Sequence, residues 1–125
     1  MGTHYKELIV WQKALVLVKQ IYRVTQTFPG LEMYGLVSQM RRAAVSIPSN
    51  IAEGQARKTP TDFARFLSIS RGSLAELETQ LIIAHELDYM TQAQFDECLA
   101  LHSEVSRMVL ALRNEIVKSS DATKN

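Results

Sequence analysis

Arg42, Ser46, Asn50 and Glu53 follow one another at spacings of four, four and three residues. On a helix this spacing puts a guanidinium, a hydroxyl, an amide and a carboxylate in one row. Ser73 and Glu76 supply a possible facing hydroxyl and carboxylate further along the chain. Such a row can line a polar pocket or hold a nucleic-acid phosphate. It can equally be a hydrogen-bonded network that fixes helix register and subunit contacts. The structural reading carries more weight, because no nucleophile stands beside a base.

A second candidate chemistry is charge. Residues 1–58 hold eight Lys and Arg against three acids, a balance of +5. Residues 59–125 hold six basic residues against ten acidic ones, a balance of −4. Lys13, Lys19, Arg23, Arg41, Arg42, Arg57 and Lys58 are therefore candidate contacts to nucleic-acid phosphates. The same asymmetry arises if the basic half of one subunit meets the acidic half of the next. Two solvated faces without a partner also produce it. The overall charge of +1 excludes the strongly basic class of nucleic-acid binders. Trp11, Tyr22 and Phe28 fall on apolar seams, so few rings are free to stack on bases. Any sequence preference should be weak, or come from RNA shape.

Catalytic and metal motifs do not emerge. A di-iron bundle needs Glu-x-x-His on two helices, and no Glu here is followed by His three residues later. His102 sits on an apolar stripe and reads as a satisfied core or interface histidine. His85 could join it only if their helical depths matched. The lone Cys98 is on a core face and reads as a small hydrophobe. No phosphate-cradling glycine loop or nucleophile elbow occurs. The expectation is no enzyme, no metal and no cofactor.

Four helices must position these groups, at about 7–27, 32–57, 60–88 and 92–118. The first carries two adjacent seams: Leu8, Trp11, Leu15, Val18, Tyr22 and Ala14, Leu17, Ile21, Val24, Phe28. One seam suffices for a small bundle, so the second predicts either packing beyond the bundle itself or, equally, a deeply placed core helix. Phe28-Pro29-Gly30 ends this helix. The second has the stripe Met33, Val37, Met40, Ala44, Ile47, Ile51, with Pro48 inside it predicting a kink. Ser46, Ser49 and Asn50 are placed to satisfy backbone groups there. Thr59 and Pro60 open the third helix, whose small residues Ser68, Ser70, Gly72 and Ser73 invite close approach by a neighbour. Thr91 and Gln94 form a capping box for the fourth. Short connections predict an all-α, antiparallel up-down four-helix bundle.

The 125 residues fit one domain spanning 1–125. A single cysteine excludes a disulfide scaffold. The longest apolar runs, Ala14 to Val18 among them, are far short of the ~20 residues that span a membrane. No segment resembles a secretory leader, and a cytoplasmic location is expected.

Three stretches carry a resemblance. They are Leu8 to Ala14, Arg41 to Gly54 (RRAAVSIPSNIAEG) and Phe66 to Leu81 (FLSISRGSLAELETQL). Together they resemble the four-helix-bundle proteins encoded in intervening sequences of 23S ribosomal RNA genes. That family is similar in fold to the accessory variability determinant of diversity-generating retroelements. The likeness spans about residues 7–118. One departure is Asp88, where glycine is expected after the third helix. The resemblance implies a ring-shaped homopentamer without known enzymatic activity, and a partner that is RNA or a nucleoprotein. The expected function is thus a non-enzymatic oligomer that binds nucleic acid through basic surfaces. The alternative is a protein-interaction scaffold or adaptor ring.

Overall fold

The computed structural model describes residues 4–124, with side chains through Ser120. Its four α-helices are α1 (Ile9–Thr25), α2 (Leu36–Gln55), α3 (Pro60–Glu86) and α4 (Gln92–Lys124). Short 3-10 turns precede α1 and α2, and no strand occurs among the described residues. Sequential helices are antiparallel. The α2–α3 turn, the start of α1 and the end of α4 share one end of the bundle. The α1–α2 and α3–α4 connections share the other.

The two seams of α1 have different fates. Ala14, Leu17, Ile21, Val24 and Phe28 are buried with Val10. They meet Met40, Ile47 and Ile51 of α2, Leu67, Leu77 and Leu81 of α3, and Val105 and Val109 of α4 in one core. Leu8, Trp11, Leu15 and Val18 are only half-buried, and Tyr22 is exposed. The inner seam therefore builds the bundle and the outer seam remains on its surface.

Local chemistry sets the helix ends. Thr59 Oγ1 accepts the Asp62 N–H at 3.1 Å, with Pro60 at the first position of α3. Thr91 Oγ1 accepts from Gln94 N, and Gln94 Oε1 accepts from Thr91 N. This is the capping box read from sequence. Helix α2 starts at Leu36 rather than near 32, because the Gly30–Glu32 turn intervenes. Met33 is accordingly 47% exposed in that connection and is not part of the α2 stripe. Glu32 ties the connections together. Its Oε1 accepts the Leu36 N–H and its Oε2 accepts the Tyr89 hydroxyl at 2.9 Å. That bond to a carboxylate pushes the Tyr89 phenol up. Helix α4 continues to Lys124, beyond the expected stop near 118. Residues 119–124 contain neither Gly nor Pro, so nothing interrupts the hydrogen-bond ladder.

Asp88 occupies the left-handed position after α3, with φ 62°. Tyr89 N donates to Ala84 O and Asp88 N to His85 O, the two bonds of a Schellman turn. Glycine adopts this conformation without steric cost. Asp88→Gly should therefore raise unfolding stability by about 0.5–1 kcal/mol, measured by urea denaturation.

Helices α2 and α3 approach closely. A Cβ placed on Gly54 would lie 2.7 Å from the Phe66 Cβ. One side of α3's small-residue stretch serves the same contact: Ser70 is buried and donates to the Ile47 carbonyl at 3.0 Å. Gly72 faces open space and takes no part in it. Helix α2 runs unbroken through Pro48, which has no N–H for the Ala44 carbonyl. Asn50 Nδ2 donates to the Ser46 carbonyl nearby at 2.8 Å, while Ser49 is exposed.

Candidate functional site

The polar row on α2 and its proposed partners on α3 come together. Arg42, Ser46, Ser73 and Glu76 line a recess of about 320 Å³ with Gln39 and Ala43. Ser46 and Ser73 hydroxyls are 2.8 Å apart, and Asn50 Nδ2 donates to Ser46 Oγ at 3.0 Å. Asn50 thus supports the recess without lining it. Glu53 leaves the group: its carboxylate pairs with Arg57 at 3.4 Å, towards the α2–α3 turn. These contacts pin α2 to α3. Only Arg42 and Glu76 present exposed charged groups at the recess.

Arg42 and Ser46 also border a second, larger recess of about 590 Å³ on the α1 side of α2. Its wall is mostly apolar: Tyr22, Met33, Tyr34, Val37 and Val45. Val45 continues into a third recess with Tyr5, Trp11, Leu15, Val18, Pro48 and Ala52. The outer seam of α1 is therefore one edge of an apolar strip running along the α1–α2 groove.

The seven basic candidates do not converge. Arg41 is committed to the fold. Its Nε donates to Thr25 Oγ1 at 3.0 Å, and its guanidinium lies 4.5 Å from the Tyr22 ring centroid. Lys13 pairs with Glu104 of α4 at 3.3 Å. Lys19, Arg23 and Arg42 are exposed at the far end of the bundle. Arg57 and Lys58 sit at the α2–α3 turn, and about 22 Å of helix separates Arg42 from Arg57. Arg57 also lies over the Phe66 ring, with Arg65 over the same ring at 4.6 Å.

Folding adds basic residues that the division of the sequence into halves conceals. Arg65 at the start of α3 and Arg113 and Lys118 near the end of α4 share the end that holds Arg57 and Lys58. Glu86, Asp88, Asp96 and Glu97 gather around the α3–α4 connection at the opposite end. Each end carries both signs: Glu53, Asp62 and Glu115 stand among the basic residues at the first, and Lys19, Arg23 and Arg42 lie towards the second. Antiparallel topology was the signal that would have grouped Arg65 with Arg113 and Lys118, since it sends positions near 60 and 115 to one place.

His102 and Cys98 are enclosed. His102 is buried, and its Nε2 lies 2.6 Å from the Leu74 carbonyl. A carbonyl only accepts, so Nε2 carries the proton. Its Nδ1 is buried without a partner. His85 instead stacks on Phe95 near the α3–α4 connection. Among the described residues no group of three His, Cys, Asp or Glu is placed to hold a metal. Burial, and secondarily Glu97, pushes the Cys98 thiol up to about 11. Thiolate is the reactive form. A thiol reagent at pH 8 should therefore modify Cys98 only after denaturant is added. Rapid labelling of the native chain would contradict its enclosure.

No described helix is long and apolar enough to cross a membrane. A solved structure with a likeness to this chain is a protein of unknown function of the S23 ribosomal protein family from Bacteroides thetaiotaomicron. It is 20% identical, with a TM-score of 0.79, over 85% of this chain and 96% of that one. At this identity the likeness speaks for the fold. No curated protein matches. The family model described as 23S rRNA-intervening sequence protein matches residues 6–111, so the chain belongs to that family.

Proposed function

We propose that the chain is a non-enzymatic protein that assembles with itself and binds RNA, or another nucleic acid, through basic surfaces in the cytoplasm. The observation that carries this reading is the gathering of Arg57, Lys58, Arg65, Arg113 and Lys118 at one end of the bundle. Contacts of this kind act mainly on phosphates and need no base-specific geometry. Lys19, Arg23 and Arg42 offer a second basic surface at the far end. The family's name, which refers to 23S rRNA, makes RNA the first polymer to test.

Self-assembly is supported by the apolar strip of the α1–α2 groove. Trp11, Leu15 and Val18 are half-buried in the isolated chain, and Val45 is 40% exposed. A second copy would remove this surface from water. A ring of five is the arrangement implied by the resemblance. Repetition would turn a modest basic surface on each subunit into a multivalent one.

A scaffold without nucleic acid is the second reading. It is favoured by Leu31 and Tyr34, which are 81% and 96% exposed, with Tyr34 lining the larger apolar recess. Anisotropy of a labelled structured RNA, with nucleic-acid-free protein at low salt and its mass measured in the same buffer, separates the two. Binding by the oligomer supports the first reading. An intact oligomer that leaves the RNA free overturns it in favour of the scaffold.

A further inference from the structure

A cleft of about 300 Å³ separates the first turns of α3 from the C-terminal half of α4. Arg65, Thr61 and Ser68 line it from α3, and Arg113 and Ser120 from α4. No carboxylate is among its lining residues whose side chains are described. Asp62, an acid nearby, approaches the Nε of Arg65 at 3.7 Å and is not among the lining residues.

Both guanidiniums are steadied at their Nε ends. Arg113 Nε donates to Ser68 Oγ at 2.7 Å. Arg65 is held by Asp62 at Nε and by the Phe66 ring beneath its guanidinium carbon. The outer Nη groups are the forked donors that suit a tetrahedral oxyanion. Ser68 accepts from Arg113, so its own hydroxyl proton is available to an acceptor. Thr61 adds another hydroxyl. Pro60, Ala64 and Val117 supply the apolar part of the described wall.

We infer that this cleft is a phosphoryl-binding site in which Arg65 and Arg113 clamp the anionic oxygens while Ser68 and Thr61 donate to them. The cleft's chemistry fits inorganic phosphate, a terminal phosphate of a nucleic acid, or a phosphodiester within one. The inference deepens the nucleic-acid reading and rests on it for the carrier of the phosphoryl group. The site itself is tested without RNA.

Calorimetry of the full chain with inorganic phosphate at constant ionic strength is the first arm. Saturable binding is expected, weakened about tenfold or more in Arg113→Gln and in Arg65→Gln. Arg107→Gln, on α4 outside the cleft, should bind as the wild type. Equal melting temperatures of the variants establish that the fold is kept. Absence of phosphate binding, or equal binding by the two cleft variants, overturns the site. The second arm compares one short RNA with a 5′-phosphate or a 5′-hydroxyl. A preference lost in Arg113→Gln assigns a terminal phosphate, and equal binding weakened by that variant assigns a phosphodiester. RNA binding unaffected by Arg113→Gln overturns the cleft's role while leaving the wider nucleic-acid reading intact. Phosphate binding without RNA binding does the reverse.

Discussion

Gly54→Val is expected to destabilise the fold by about 3 kcal/mol, at the upper part of the range for overpacked cores. The cause is the α2–α3 contact. A Cβ at position 54 would stand 2.7 Å from the Phe66 Cβ and 3.3 Å from the Phe63 carbonyl oxygen. Neither atom is the end of a flexible side chain, so no rotamer change relieves the clash. The helices must move apart, and that movement loosens Ile47, Ile51 and Leu67, all fully buried. Valine's two γ-carbons enlarge the conflict. A side chain in place of glycine would otherwise favour a helix by a few tenths of a kcal/mol, far too little to compensate. A fall in melting temperature of about 10 °C is the readout for a chain of this length. An unchanged melting temperature would mean that the two helices are not so closely apposed.

Val45→Asp should leave the fold intact and abolish self-assembly. Val45 is 40% exposed, so the isolated subunit loses little packing. It lies where the two apolar recesses of the α1–α2 groove meet. A subunit contact across this strip would bury the new carboxylate without a partner, at a cost of several kcal/mol per contact. Size-exclusion chromatography with light scattering should show the 14.1 kDa monomer for the variant and a multiple of it for the wild type. Arg41→Glu would make a poorer test, because Arg41 is bonded to Thr25 and stacked on Tyr22.

Much of this was legible in the chain because it is local. The Thr59-Pro60 start of α3 and the Thr91–Gln94 box depend only on residues within one turn. The row Arg42, Ser46, Asn50, Glu53 and its facing pair Ser73, Glu76 followed from helical spacing plus an antiparallel neighbour, and the structure brings Arg42, Ser46, Ser73 and Glu76 of these to one recess. Glu53 fitted the same spacing but pairs with Arg57, since side-chain reach rather than row position decides an exposed ion pair. Which seam of α1 faces the core was not legible. Both seams have helical spacing, and only the neighbouring helices distinguish them. Arg65 and Arg113 are 48 positions apart in a half of the chain with an acidic balance. Their convergence is a property of topology. Asp88 was singled out as a departure from glycine, and its positive φ supplies the reason glycine was expected there.

The most direct test of the nucleic-acid account is the salt dependence of RNA affinity for the assembled wild-type protein. Each neutralised phosphate releases counterions, so the logarithm of affinity falls linearly with the logarithm of salt. Four or more phosphates contacted by a multivalent basic surface predict a fall of about a hundredfold between 50 and 200 mM salt. An affinity that is flat across this range, or RNA left unbound at 50 mM by an assembled protein, would contradict the account.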